Sequence, residues 1–149
     1  MAERKNKMKY IFLDLQGVMD CGEDRKADNV EMSELLYISD RTLSLLKTLV
    51  DETKAEIIIT SELRRNIAAK RYLWNRFNKF GLEWQSETPN IPSGTKTDEI
   101  KHVIGDFDCD ITKFVVLDDA SLELENLVKT DFWFGVQQEH IEKAVEILT

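Results

Sequence analysis

Residues 9–20 read KYIFLDLQGVMD, and this stretch decides the fold. Its first five residues, Lys9–Leu13, are a short apolar, aromatic and β-branched run, which predicts a buried strand. The run stops at Asp14, and Gly17 three residues later predicts a turn. Downstream the pattern returns. Ala55–Ile59 forms a second strand that ends in Thr60-Ser61, and Lys113–Leu117 (KFVVL) a third that ends in Asp118-Asp119. Asp131–Val136 (DFWFGV) reads as a fourth.

Helical patterns separate the strands. Asp40 is a good N-cap for a helix through about Glu52, with Leu43, Leu46, Leu49 and Val50 along one face. A long helix is expected from about Glu62 to Phe80, with Leu63, Ile67, Trp74 and Phe77 inward and Gly81 at its C′ position. Glu83–Gly94 holds both prolines and predicts an irregular connection, with Trp84 in a short strand before it. Thr95 and Asp98 have capping-box spacing at the head of a helix ending near Gly105, and a closing helix covers Gln138–Leu148. Val18–Ile38 reads as a long loop or flap with a helical turn around Glu31–Leu36. Alternation of buried strands with helices implies an α/β fold, a mainly parallel sheet covered on both faces, whose ligands bind outside the carboxyl ends of the strands.

The 149 residues fit a single domain, 1–149, that can bury a core without disulfides or a structural metal. Cys21 and Cys109 lack ligand spacing and are expected as free thiols. The polar start, MAERKNKMKY, and the short apolar runs argue against a signal peptide or membrane span, so a cytoplasmic protein is expected. A net charge of −8 disfavours broad binding to duplex nucleic acid. A phosphorylated small molecule needs only a local positive patch, and Arg64, Arg65, Lys70 and Arg71 supply either that or a solvated helix face.

Three strands thus end in side chains suited to phosphate chemistry: Asp14, Thr60/Ser61 and Asp118/Asp119. Each alone is an ordinary turn or cap residue, but the ordered set on one sheet edge is much less expected by chance. Lys96, in the first turn of its helix, opposes the helix dipole at a cost on the order of a few tenths of a kcal/mol. A local violation of this kind often marks function.

With these motifs in place, FLDLQGV, IIITS, Lys96 and VVLDD in that order, the chain resembles the haloacid dehalogenase (HAD) superfamily. The ending FGVQQEHIEKAVEIL is similar to the last strand and helix of small HAD-like domains found near RNA-repair and nucleotide-processing enzymes. The resemblance implies a Rossmann-like three-layer α/β/α domain. It implies Asp14 as the nucleophile that takes up a phosphoryl group, and Mg²⁺ held by Asp14, Asp118 and the Gln16 backbone carbonyl. Asp119 would coordinate directly or orient the shell. Lys96 and the metal would offset repulsion between carboxylate and phosphate, while Thr60 or Ser61 and helix N–H groups hold phosphate oxygens. Arg64 and Arg65 would reach further phosphates.

The departure is Gln16, where phosphatases of this family carry the Asp that protonates the leaving group. Gln cannot titrate, and general acid–base catalysis contributes about 10² to 10⁴ in rate. Alkyl phosphates should therefore turn over slowly or not at all. Asp20 and Cys21 lie near in sequence but read as ordinary flap residues. Without a cap domain the site should be open to a bulky ligand, a polymer end or a partner chain, a second copy included. Trp74 and Trp133 read as core, and Trp84 as the best candidate to stack on a base. Two functional readings follow. One is an Mg²⁺-dependent phosphohydrolase or phosphotransferase, weakened by Gln16, acting on a phosphorylated nucleotide or nucleic-acid end. The other is a non-catalytic binder that sequesters a phosphorylated nucleotide signal. A structural module with an unused pocket would leave Asp14, Lys96 and Asp118 unexplained.

Overall fold

A computed structural model describes residues 8–106 and 111–149. The polar N-terminal stretch before residue 8 and Cys109 lie outside the described residues. Along the chain run β1 (Met8–Leu13), α1 (Gly22–Ala27), α2 (Asp40–Thr53), β2 (Glu56–Ile59), α3 (Ile67–Lys79), β3 (Ser86–Glu87), α4 (Lys96–Asp106), β4 (Ile111–Asp118), β5 (Leu127–Lys129) and α5 (Gln138–Leu148). The strands form one five-stranded sheet in the order β3-β2-β1-β4-β5, with every pairing parallel.

The sheet is covered on both faces, which explains why β1 reads as an unbroken apolar run. Ile11 and Leu13 point to one side, into a core with Leu43, Leu46 and Leu49 of α2, Leu73 and Phe77 of α3, and Ile141 and Leu148 of α5. Tyr10 and Phe12 point to the other, where they meet Ile58, Phe114, Val116 and, on α4, Ile100 and Val103. Phe12 and Phe114 pack edge to face with centroids 5.9 Å apart. This is the three-layer, Rossmann-like α/β/α arrangement that the resemblance implied.

Several local expectations change. DFWFGV is not a strand: the strand beside β4 is Leu127–Lys129, and residues 131–135 close into a turn. Asp131 Oδ1 accepts the N–H groups of Trp133 and Phe134, and Gly135 takes a left-handed φ of +68°. This Asx-turn satisfies the backbone locally and overrides the β-propensity of the three aromatics. Trp133 is consequently exposed rather than core. The helix expected over 62–80 divides into a 3₁₀ turn at Glu62–Arg65 and α3, because Asn66 turns extended and caps the Ala69 N–H. The division shifts the helical phase. Ala69, Leu73 and Phe77 form the buried stripe, leaving Ile67 and Trp74 exposed. Trp84 precedes β3, is partly buried, packs edge to face with Phe77 and donates to Glu87.

Ser39, not Asp40, caps α2 by accepting the Thr42 N–H. The flap carries its helix at Gly22–Ala27, with only turns over 31–36. The Thr95–Asp98 capping box forms as expected, each side chain accepting the other's backbone N–H. Among the described residues, no helix is long and apolar enough to cross a membrane.

Candidate active site

Leu13 of β1 lies beside Ile59 of β2 and Leu117 of β4, so the next residue on each strand, Asp14, Thr60 and Asp118, emerges at the same sheet edge. Backbone bonds hold this row: Asp14 N–H donates to Leu117 O and Thr60 N–H to Leu13 O. Lys96 enters from the first residue of α4, fixed by the capping box. Its ammonium stands 2.9 Å from Asp118 Oδ2 and 3.2 Å from Asp14 Oδ2. The other oxygen of Asp118, Oδ1, accepts the Ala120 N–H.

Asp119 completes the group. One oxygen from each of Asp14, Asp118 and Asp119 lies within 4.8 Å of the others. Gly17 makes room for this: its φ is +87°, and a Cβ there would stand 2.4 Å from Asp119 Oδ2. The turn glycine read from the sequence is therefore also the wall against which the third carboxylate packs.

Burial raises the Asp14 carboxyl to about 6; Lys96 opposes that rise and Asp118 adds to it. Burial and Asp118 also raise Asp119. Lys96 is raised despite its burial, because Asp14 and Asp118 favour its charged form. A carboxyl raised on folding stabilises the fold below its unfolded value and loses that contribution as pH rises through its folded value. In EDTA, stability should therefore fall by on the order of 2 kcal/mol between about pH 4 and pH 6.5 from Asp14. Urea midpoints across that range check it, with Asp14→Asn making the fall shallower. A flat profile in both proteins would place Asp14 in a more solvated setting than this one.

The donor set suits a hard divalent cation. All three side chains offer oxygen, and one ammonium leaves two of their negative charges uncompensated when all are ionised. Gln16 follows the strand end with its side chain exposed. Thr60 Oγ1 is buried and, among the described residues, the one such side-chain atom without a hydrogen-bond partner. Ser61 Oγ is occupied, accepting the Leu63 N–H.

The structure parts the two arginines that the sequence grouped. Arg64 is 4% exposed and turns inward. Its guanidinium donates to the carbonyls of Thr60, Ser61, Thr88 and Pro89 and to the Glu99 carboxylate at 3.1 Å, so it is spent on holding loops together rather than facing a ligand. Arg65 lies at the surface on Glu62 and Asn90. Lys70 pairs with Glu87, and Arg71 is exposed.

The flap residues are also committed. Both oxygens of Asp20 are held by Arg25 at 2.8 Å, and Arg25 binds the carbonyls of Glu31 and Glu34 as well. Cys21 is buried, which pushes its thiol up. Arg25 as the hub of the flap was missed in the sequence, where nothing local marks a pairing five residues apart.

A family model described as the HAD domain in Swiss Army Knife RNA repair proteins matches residues 10–141. No curated protein and no solved structure matches the chain.

Proposed function

This chain belongs to the family of HAD domains found in Swiss Army Knife RNA repair proteins, and we propose that it binds, with Mg²⁺, the phosphate of a nucleotide or RNA end and hydrolyses it poorly. The observation that carries this reading is the Lys96 ammonium set between Asp14 and Asp118, beside Asp119, at a site whose sixteenth residue offers an amide in place of an acid. Asp14, Asp118 and Asp119 would hold the ion, with the Gln16 carbonyl beside them; Mg²⁺ there would neutralise phosphate oxygens. Lys96 opposes the charge of the incoming phosphate and orients the Asp14 oxygen toward phosphorus. Thr60 is favoured over Ser61 as the phosphate hydroxyl, since a buried unpartnered hydroxyl costs roughly 1–3 kcal/mol until a ligand satisfies it.

Bond cleavage then lacks a proton for the departing oxygen. Gln16 can hydrogen-bond that oxygen but cannot protonate it, and Asp20 is locked on Arg25. The same two facts favour a second reading, a binder that retains a phosphorylated nucleotide without turnover.

The metal reading has a direct test. Millimolar Mg²⁺ should raise the melting temperature of the wild type, by an increment equivalent to about 2.7 kcal/mol at a hundred times Kd. Asp118→Asn should lose that increment, whatever it does to the baseline. Equal Mg²⁺ shifts in both proteins would remove Asp118 from the metal site.

A further inference from the structure

Large apolar side chains scattered singly on a surface need no explanation, but a cluster bordering one recess does. Met32, Leu35 and Phe132, exposed by 64%, 47% and 59%, border a recess of about 150 Å³ whose wall also includes Gln16. The recess shares one lining residue with the candidate phosphate site: Gln16, two residues beyond Asp14. We propose that it takes the aromatic base of the nucleotide whose phosphate lies at Asp14 and Lys96, an inference that rests on the function proposed above.

The walls are built rather than loose. Phe132 rides on the turn closed by Asp131, where Gly135 N–H donates to Asp131 O and Glu23 N–H to Trp133 O. The Trp133 ring lies so close over Gly22 that a Cβ there would stand 2.2 Å from it, and Arg41 donates to Phe134 O. The opposite wall, residues 31–35, is clamped by Arg25. An exposed aromatic on a fixed turn loses little freedom when a flat group stacks on it.

Charge selects the occupant. Asp20 and Arg25 cancel one another at the recess and Glu34 leaves it negative, so a further phosphate is repelled while a neutral base is not. The Gln16 amide offers both a donor and an acceptor, which base edges and ribose hydroxyls can use. An RNA end and a free nucleotide share this chemistry.

Calorimetric titrations with Mg²⁺ should compare inorganic phosphate, ribose 5-phosphate, adenosine 3′-monophosphate and a 3′-phosphorylated oligoribonucleotide. Wild type should bind the adenosine compound about five- to a hundred-fold tighter than ribose 5-phosphate, the range expected for one base on one aromatic. Phe132→Ala should abolish that difference, with the phosphate and ribose phosphate affinities moving less than twofold. Oligonucleotide binding tighter than the mononucleotide, and equally sensitive to Phe132→Ala, supports the recess with an RNA end as its source; equal affinity supports it with a free nucleotide. Nucleotide and ribose phosphate binding alike in wild type, or a Phe132→Ala loss shared by every ligand, overturns the base site. Wild type that binds no inorganic phosphate instead overturns the phosphate reading beneath it. A dimer that dissociates on Phe132→Ala, with nucleotide affinity unmoved, assigns the recess to a second copy and also overturns the proposal.

Discussion

Gln16→Asp is expected to raise hydrolysis of an alkyl phosphate by about 10² to 10⁴, the usual contribution of a positioned general acid and base. The side chains such an acid would work beside stand together: Lys96 bridges Asp14 and Asp118, and Asp119 lies against Gly17. An aryl phosphate provides the control. Its leaving group departs without a proton, so its rate should rise far less, and the contrast identifies protonation as the lost step. Wild type turning over alkyl phosphates at ordinary enzyme rates, with nothing added by Gln16→Asp, would mean that another group donates the proton. Inactivity of both forms together with tight retention of a nucleotide would favour the sequestering protein.

Arg64→Ala should cost about 3–5 kcal/mol of stability, the penalty for breaking a buried ion pair and leaving its partner charged. Glu99 would lose its nearer guanidinium, keeping only Arg65 at 3.7 Å, and the carbonyls of Thr60, Ser61, Thr88 and Pro89 a side-chain donor. Arg65→Ala, whose pair with Glu62 is 41% and 67% exposed and whose contact with Glu99 is longer at 3.7 Å, should cost less, about 1 kcal/mol. Urea unfolding of the two variants measures both. Because Arg64 joins the Thr60 loop to the helix that carries Lys96, Glu99→Gln should weaken phosphate binding as well as stability. Arg64→Ala that unfolds like wild type yet loses phosphate affinity would return Arg64 to the role of a ligand residue.

Arg64 and Arg65 also mark where sequence reading stops. Adjacent residues differ by about 120° around a 3₁₀ turn, so their neighbourhood in the chain says nothing of which one points inward. That choice is made by partners 24 to 35 residues away. The same limit applies to Trp74, whose exposure follows from the break at Asn66, and to Thr60 against Ser61, separated only by the cap that Ser61 gives to Leu63. The Asp131 turn misled for a different reason: its three aromatics carry strand propensity, and one side-chain oxygen outweighs it.

What the sequence determined by itself was the three central strands and which residues stand at their shared edge. A strand buried on both faces must be apolar throughout, so β1, β2 and β4 announce themselves within a few residues, and parallel pairing brings the residue after each strand to one edge whatever the details of packing. The placement of Asp14 and Asp118 at one edge follows from that rule, while Lys96 as their companion and Gln16 as a departure came from the resemblance to the HAD superfamily. What only the tertiary structure decided was which neighbours are spent on the fold and which are not: Arg64 and Asp20 taken by Glu99 and Arg25, Thr60 Oγ1 without a hydrogen-bond partner among the described residues, and Phe132 exposed. Those outcomes depend on hydrogen bonds and helix phase between segments far apart in the chain, and no local pattern encodes them.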